Sequence, residues 1–213
     1  MADLQKIYTA VLEGDAKTSA AVTRQALDEG VEPMKLITDA MVPAMDEAGR
    51  RFEAEEYFVP ELLLAARAMK AAMVLIRPLL VASGVKSAGK VAVGTVKGDL
   101  HDIGKNLVAS MLEGGGFEVI DLGADVSPEK FIAAVKEQGA QVVCLSALLT
   151  VTMPAMKTTI EALKQAGIRQ SVKVLVGGAP VTSQYASEIG ADGYGENANS
   201  AVAMTRKMLA EGN

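Results

Sequence analysis

His101 is the only histidine in the chain. Any chemistry that needs an imidazole, as metal ligand or as base, therefore falls to it alone. Asp99 stands two residues upstream, and in an extended loop that spacing lets both side chains project toward one region. A neutral imidazole is the commonest protein metal ligand, and a carboxylate on its second nitrogen fixes the tautomer and raises its basicity. Asp99-x-His101 is thus a ligand with its orienting partner built in. A hydroxyl from Thr152 can hydrogen-bond Asp99 and extend the relay. Gly98 and Gly104 flank the pair and permit tight turns and close approach of a bulky, flat ligand.

The elements around this loop must place it at the mouth of a sheet. From residue 90 onward short β-rich runs alternate with helical stretches. The runs are Val91–Val96, Phe117–Leu122, Val142–Ala147, Val172–Val176 and a weaker Asp192–Tyr194. The helices expected between them are Asp102–Glu113, Pro128–Glu137, Pro154–Gln165, Ser183–Glu188 and Asn197–Leu209. Such alternation implies a parallel sheet with helices on both faces, and right-handed crossovers leave few topologies. A flavodoxin-like, Rossmann-type five-stranded sheet is the expectation, with ligands beyond the carboxyl ends of its strands. The loops there are Lys97–Lys105, Ser146–Thr152, Gly177–Pro180 and Gly195–Ala198. Three familiar uses of these loops fail. There is no G-x-G-x-x-G after the first strand, and Gly104-Lys105-Asn106 lacks the hydroxyl and leading Gly of a P-loop. No acid stands at the end of the third strand, where a phospho-acceptor would.

The first 84 residues read differently, as helix throughout: Asp3–Glu13, Ala16–Glu29, Pro33–Phe52 and Val59–Ser83. Asp15 can cap the second helix, Gly30 ends it, and Pro33 and Pro60 suit first-turn positions. Pro43 and Pro78 fall inside apolar patterns and should bend or shorten their helices. Leu36, Ile37, Ala40, Met41, Ala44, Met45 and Ala48 recur at helical spacing, as do Leu62, Leu63, Ala66, Met69, Ala72, Met73 and Ile76. A four-helix bundle over residues 1–84, a linker at 85–89 (VKSAG) and an α/β domain over 90–213 follow.

Composition narrows the function classes. The net charge of −5 argues against non-specific nucleic-acid binding, which needs a basic face. No apolar run reaches the length of a membrane span, and the N-terminus has no signal-peptide core. With the single cysteine, Cys144, a cytoplasmic protein without nucleic-acid or membrane partners is expected. Cys144 should be buried and inert, Gly114-Gly115-Gly116 a helix end, the methionines core filler, and Glu53–Glu56 a solvated turn.

The ordered set Asp99-x-His101-x-x-Gly104, Ser146-x-Leu148 and Gly177-Gly178 resembles the B12-binding signature of methionine synthase, of B12-dependent mutases and of the corrinoid proteins of methyltransferase systems. The string Val96–Asn106 is closest to the methyl-transfer branch. The helical half shares the resemblance through Gly49, Phe52, Phe58-Val59-Pro60 and Ala66–Met69. Essentially the whole chain is covered.

That resemblance implies a corrinoid cofactor, cobalamin or a variant with another lower base. His101 would be the lower axial cobalt ligand, with Asp99 hydrogen-bonded to it and Thr152 where relatives often carry Ser. Gly98, Leu100, Asp102, Ile103 and Gly104 would line the corrin and the start of the tail channel. Ser146, Leu148 and Thr150 would contact the displaced nucleotide tail. Gly177 and Gly178 would let its base pass where a side chain would collide, and Ala198 would close the far end. Phe52 and Val59, from the helical cap, would shield the upper cobalt face, with movement about residues 85–89.

The implied function is a methyl carrier. It would accept a methyl group on Co(I) from a donor-side methyltransferase and pass it to an acceptor-side one acting on a thiol or tetrahydrofolate. A reductive activase would be a further partner. Two other readings share the motif: a cobalamin-binding regulator or light sensor, and the small subunit of a B12-dependent mutase. A regulator usually carries an added DNA-binding segment, and a mutase subunit needs no four-helix cap.

Overall fold

A computed structural model describes residues 3–82 and 88–210. The chain divides into two compact units, Met1–Ala88 with Glu113–Gly116, and Gly89–Leu112 with Phe117–Asn213. Most of the break at Val85–Gly89 lies outside the described residues.

The first unit is helical. Helix α1 (Leu4–Leu12) starts where the Asp3 carboxylate accepts the Lys6 N–H, and α2 (Ala16–Asp28) where Asp15 accepts that of Thr18. These are N-caps, each satisfying a backbone donor with no partner inside its helix. Gly30, with φ of 81°, closes the second helix. The segment expected as one helix from Pro33 is interrupted. It runs as α3 (Pro33–Leu36), a π-helical turn (Ile37–Met41) and α4 (Val42–Glu53). Pro43 explains the interruption: it lacks an N–H and its ring opposes the carbonyl four residues back, so the ladder widens just ahead of it. Pro78 does not end α5, which runs unbroken from Val59 to Ala82.

Helix α1 packs against α2, α4 and α5, and α5 also against α2 and α4, a four-helix bundle. Ile7, Val11, Leu36, Met41, Met45, Leu62, Met69 and Ile76 are buried in this unit. Leu63, expected in the apolar stripe of α5, is exposed instead. One residue is 100° of rotation on a helix, so Leu62 and Leu63 cannot share a narrow stripe.

The second unit holds five parallel strands, β1 (Lys90–Thr95), β2 (Glu118–Asp121), β3 (Val142–Ser146), β4 (Lys173–Gly177) and β5 (Gly193–Gly195). Their order is β2-β1-β3-β4-β5, the flavodoxin-like one. Helices α6 (Ile103–Gly114), α7 (Pro128–Gln138), α8 (Pro154–Gln165) and α9 (Ser183–Ile189) make the crossovers, and α10 (Ala198–Ala210) follows β5. Phe131, Leu145, Met156 and Ile160 are wholly buried. The order fixes where a ligand can sit. The chain leaves β1 toward β2 on one side and returns to β3 on the other, so the loops after β1 and β3 part at a switch point. Thr95, Ser146, Gly177 and Gly195 pair in register and form one row at the carboxyl end of the sheet. Cys144 lies mid-strand, and burial pushes its thiol up to about 12. Among the described residues no helix is long and apolar enough to cross a membrane.

Candidate functional site

The loop after β1 opens with a tight turn. The Asp99 N–H donates to the Val96 carbonyl (3.1 Å), and Gly98, between them, has φ of 85°. A positive φ at the third residue of such a turn is the type II geometry, which glycine satisfies without strain. The turn drives Asp99 inward until its side chain is wholly buried.

A buried carboxylate needs donors, and Asp99 has them. Its Oδ1 accepts the His101 backbone N–H (3.0 Å) and lies 2.7 Å from His101 Nδ1. Its Oδ2 accepts the Leu148 N–H (2.8 Å) and the Thr152 hydroxyl (2.7 Å). Burial alone would raise this carboxyl. The hydrogen bonds from Thr152, the two backbone N–H groups and the His101 ring outweigh it and hold Asp99 well below the usual carboxylate range. An ionised carboxylate only accepts, so Nδ1 carries the proton and Nε2 of a neutral ring keeps a free lone pair. The Thr152 hydroxyl also lies 2.8 Å from the Leu149 carbonyl. It has one proton, and the charged carboxylate is the stronger acceptor. Asp99 thus ties the loop after β1 to the loop after β3.

The His101 side chain is 50% exposed. Around it stand apolar side chains that a folded protein normally covers: Leu100 is 76% exposed, Ile103 80% and Val151 80%, with Leu148 and Leu149 also exposed. Gly104, in the first turn of α6, has nothing within 4 Å of where a Cβ would stand. Asp102 is exposed just before that helix, and Thr150 is exposed in the loop after β3. Ser146 and Gly177 are half-buried at the ends of β3 and β4, and Ala198 is buried at the start of α10. Gly177 and Gly178 are demanded by the protein's own backbone. A Cβ on Gly177 would stand 2.8 Å from the Gly195 carbonyl oxygen, and one on Gly178 would meet that of Ala147. Phe52, half-buried, and Val59, exposed, belong to the helical unit.

Three contributors were not singled out from sequence. Thr95, buried, donates its hydroxyl to the His101 carbonyl (2.9 Å). Asp125, in the loop after β2, accepts the Gly98 N–H (2.8 Å) and pairs with Lys97 (2.9 Å). Lys105, buried in α6, reaches Asp121 at the end of β2. Their one available signal was topological: Thr95 and Asp125 stand at or beyond the carboxyl ends of neighbouring strands, and Lys105 in the helix that follows the first of them.

Among the described residues no three His, Cys, Asp or Glu side chains gather to hold a metal ion. A metal at His101 must therefore bring its other ligands with it. The residues fit a macrocycle that does so: one imidazole with an open nitrogen, exposed apolar flanks, and glycines where a flat ring would approach.

Comparison with known proteins points the same way. Two family models, each described as a B12 binding domain, match residues 89–203 and 3–77. The trimethylamine corrinoid protein 2 of Methanosarcina mazei is 45% identical over 211 residues, 98% of this chain and 97% of its own length. The dimethylamine corrinoid protein of Methanosarcina barkeri is 44% identical, covering 97% of each chain. Among solved structures, a cobalamin-binding protein from Desulfitobacterium hafniense superposes with a TM-score of 0.81 at 34% identity, over 98% of this chain and 99% of that one. A chain of the methanol:cobalamin methyltransferase complex of Methanosarcina barkeri gives 0.84 at 31%, over 97% of this chain and 79% of that one. From a lone imidazole beside a buried carboxylate to whole-chain likeness, these findings show that the chain belongs to the B12-binding family of corrinoid proteins.

Proposed function

We propose that this chain is a corrinoid-loaded methyl carrier that shuttles between a donor-side and an acceptor-side methyltransferase. The observation that carries the reading is the bond between Asp99 and His101 Nδ1, which leaves Nε2 of a half-exposed ring as its other nitrogen. The bound corrinoid supplies a cobalt centre able to take up and release a methyl group. His101 would hold its cobalt through Nε2. Asp99 holds the ring in one tautomer and orientation, and Thr152 holds Asp99. Leu100, Ile103, Leu148 and Val151 exclude water from the ligating nitrogen and cover the macrocycle. Gly98, Asp102 and Gly104 would line it. Ser146, Thr150, Gly177, Gly178 and Ala198 would hold its nucleotide tail.

Relatives named for trimethylamine and dimethylamine make methylated amines the first donors to test. A solved relative in complex with a methyltransferase supports partners of that class. The acceptor enzyme then acts on a thiol or tetrahydrofolate, a reductive activase restores over-oxidised cofactor, and the cytoplasm is the compartment that suits all of these.

The test is stoichiometric methyl transfer. Purified protein is loaded with hydroxocobalamin, reduced, and mixed with a methylamine methyltransferase and its amine. The expected result is one methyl group bound per chain, with a matching change in visible absorption, released on adding a thiol and the second methyltransferase. Tight retention of an adenosyl ligand with no methyl uptake would favour the mutase reading.

A further inference from the structure

Asp125 has a backbone conformation that calls for an explanation. Its φ is 53°, in the left-handed region, and Glu55 is the one other non-glycine with a positive φ among the described residues. Side chains with a Cβ are held there only when the surroundings compensate, and such outliers gather at functional loops. The compensation is visible on three sides. One carboxylate oxygen of Asp125 accepts the Gly98 N–H (2.8 Å), the other meets Lys97 Nζ (2.9 Å), and the Asp125 N–H donates to the Asp99 carbonyl (2.9 Å). The next residue, Val126, bridges to Val96 in parallel. The Gly98 N–H first, and Lys97 after it, hold the Asp125 carboxyl below its usual range, so it accepts as an anion.

These contacts grip the turn by its backbone. Gly98 is the residue of positive φ, and its N–H points out of the Val96–Asp99 hydrogen bond. Left without an acceptor, the Lys97–Gly98 peptide is free to rotate, as peptides at the centre of two-residue turns do. Asp125 therefore holds the backbone on both sides of the Gly98–Asp99 peptide, through the Gly98 N–H and the Asp99 carbonyl, and among the described residues Asp99 is the side chain bonded to His101 Nδ1.

We infer that Asp125 is a positioning residue for axial ligation, acting on His101 through the Gly98 peptide and the Asp99 carbonyl. It stands behind the ligand pair as a brace supplied by the loop after β2. The inference rests on His101 being the cobalt ligand. It adds a third loop to the two that Asp99 already joins.

The experiment uses the full chain, uniformly labelled with nitrogen-15 and loaded with unlabelled cob(II)alamin. In its electron spin resonance spectrum, an axial protein imidazole splits each cobalt line into two, and the cofactor's own nitrogen-14 base into three. Wild type should show doublets. Asp125→Gly keeps the permitted φ and removes the carboxylate; it should lose the doublets and bind the cofactor about tenfold more weakly. Asp125→Asn keeps an oxygen for the Gly98 N–H and a side chain that tolerates left-handed φ, and it should restore the doublets. Melting of the cofactor-free variants separates a folding defect from this one. Should Asp125→Gly fail to fold, Asp125→Ser decides in its place: its shorter side chain does not reach the Gly98 N–H, so it should lose the doublets, and full doublets there overturn the inference. Full doublets in Asp125→Gly overturn the inference, as does their loss in Asp125→Asn. Wild type without doublets overturns the His101 ligation on which it rests.

Discussion

Replacing Asp99 by alanine leaves the Leu148 and His101 N–H groups without their acceptor in a buried place. Each such group costs about 1–3 kcal/mol, so the cofactor-free protein should lose roughly 2 kcal/mol or more in urea unfolding. Thr152→Val should cost about 1 kcal/mol, and Thr152→Ser much less, because serine keeps the donor 2.7 Å from Asp99. Charge gives a sharper signature. The folded protein favours ionised Asp99, whose pKa is depressed below the unfolded value of about 3.9. Its contribution to stability is therefore complete above that value and is lost as pH falls through it toward the folded pKa. Wild type should exceed Asp99→Asn in stability at pH 7, and the gap should close below about pH 4. A gap independent of pH would mean that Asp99 is not the anion its surroundings require.

At the scale of elements, two glycine substitutions separate backbone freedom from space. Gly139 caps α7 with φ of 74° and open surroundings, so Gly139→Ala should cost about 1 kcal/mol. Gly178 has φ of 126° and its added Cβ would run into the Ala147 carbonyl, so Gly178→Ala should cost roughly 3 kcal/mol or prevent folding. Thermal melts of the pair check the contrast. In the bundle, the Thr23 hydroxyl is buried with no partner among the described residues. Thr23→Val keeps the shape and removes that penalty, and should raise stability by about 1 kcal/mol. The elements were largely legible because period and punctuation agree: four of the five strands end in glycine, serine or threonine, and Asp15 and Pro33 mark helix starts. The π-helical turn was not, because Pro43 announces a disturbance without saying whether the helix bends, ends or widens. Nor was the exposure of Leu63, since adjacent apolar residues leave the facing one ambiguous. At the site, Asp99, His101 and Thr152 were readable because a carboxylate and an imidazole two residues apart already suggest a relay. Thr95 and Asp125 were not, because the bonds that tie them to the turn and to His101 go to backbone groups that sequence does not mark.

For the molecule as a whole, the exposed apolar cluster around His101 ties stability to the cofactor. Leu100, Ile103 and Val151 face solvent in the polypeptide alone, so polar replacements there should change its own unfolding by less than about 0.5 kcal/mol. Binding a corrinoid would cover them, and a ligand that binds only the folded state stabilises it by mass action. At a free concentration one hundred times Kd the gain is about 2.7 kcal/mol. For a chain of this size, that raises the apparent Tm by roughly 5–10 °C. Ile103→Ser removes an apolar side chain worth about 1.5–3 kcal/mol when buried, so it should need at least about tenfold more methylcobalamin for the same rise. His101→Gly should shift the same curve and also abolish the imidazole signature in the cobalt spectrum, whereas Ile103→Ser should keep that signature. Scanning calorimetry over a methylcobalamin series, with spectra of the same samples, separates the two contributions. Identical curves for wild type and Ile103→Ser would mean that the apolar rim serves something other than the cofactor.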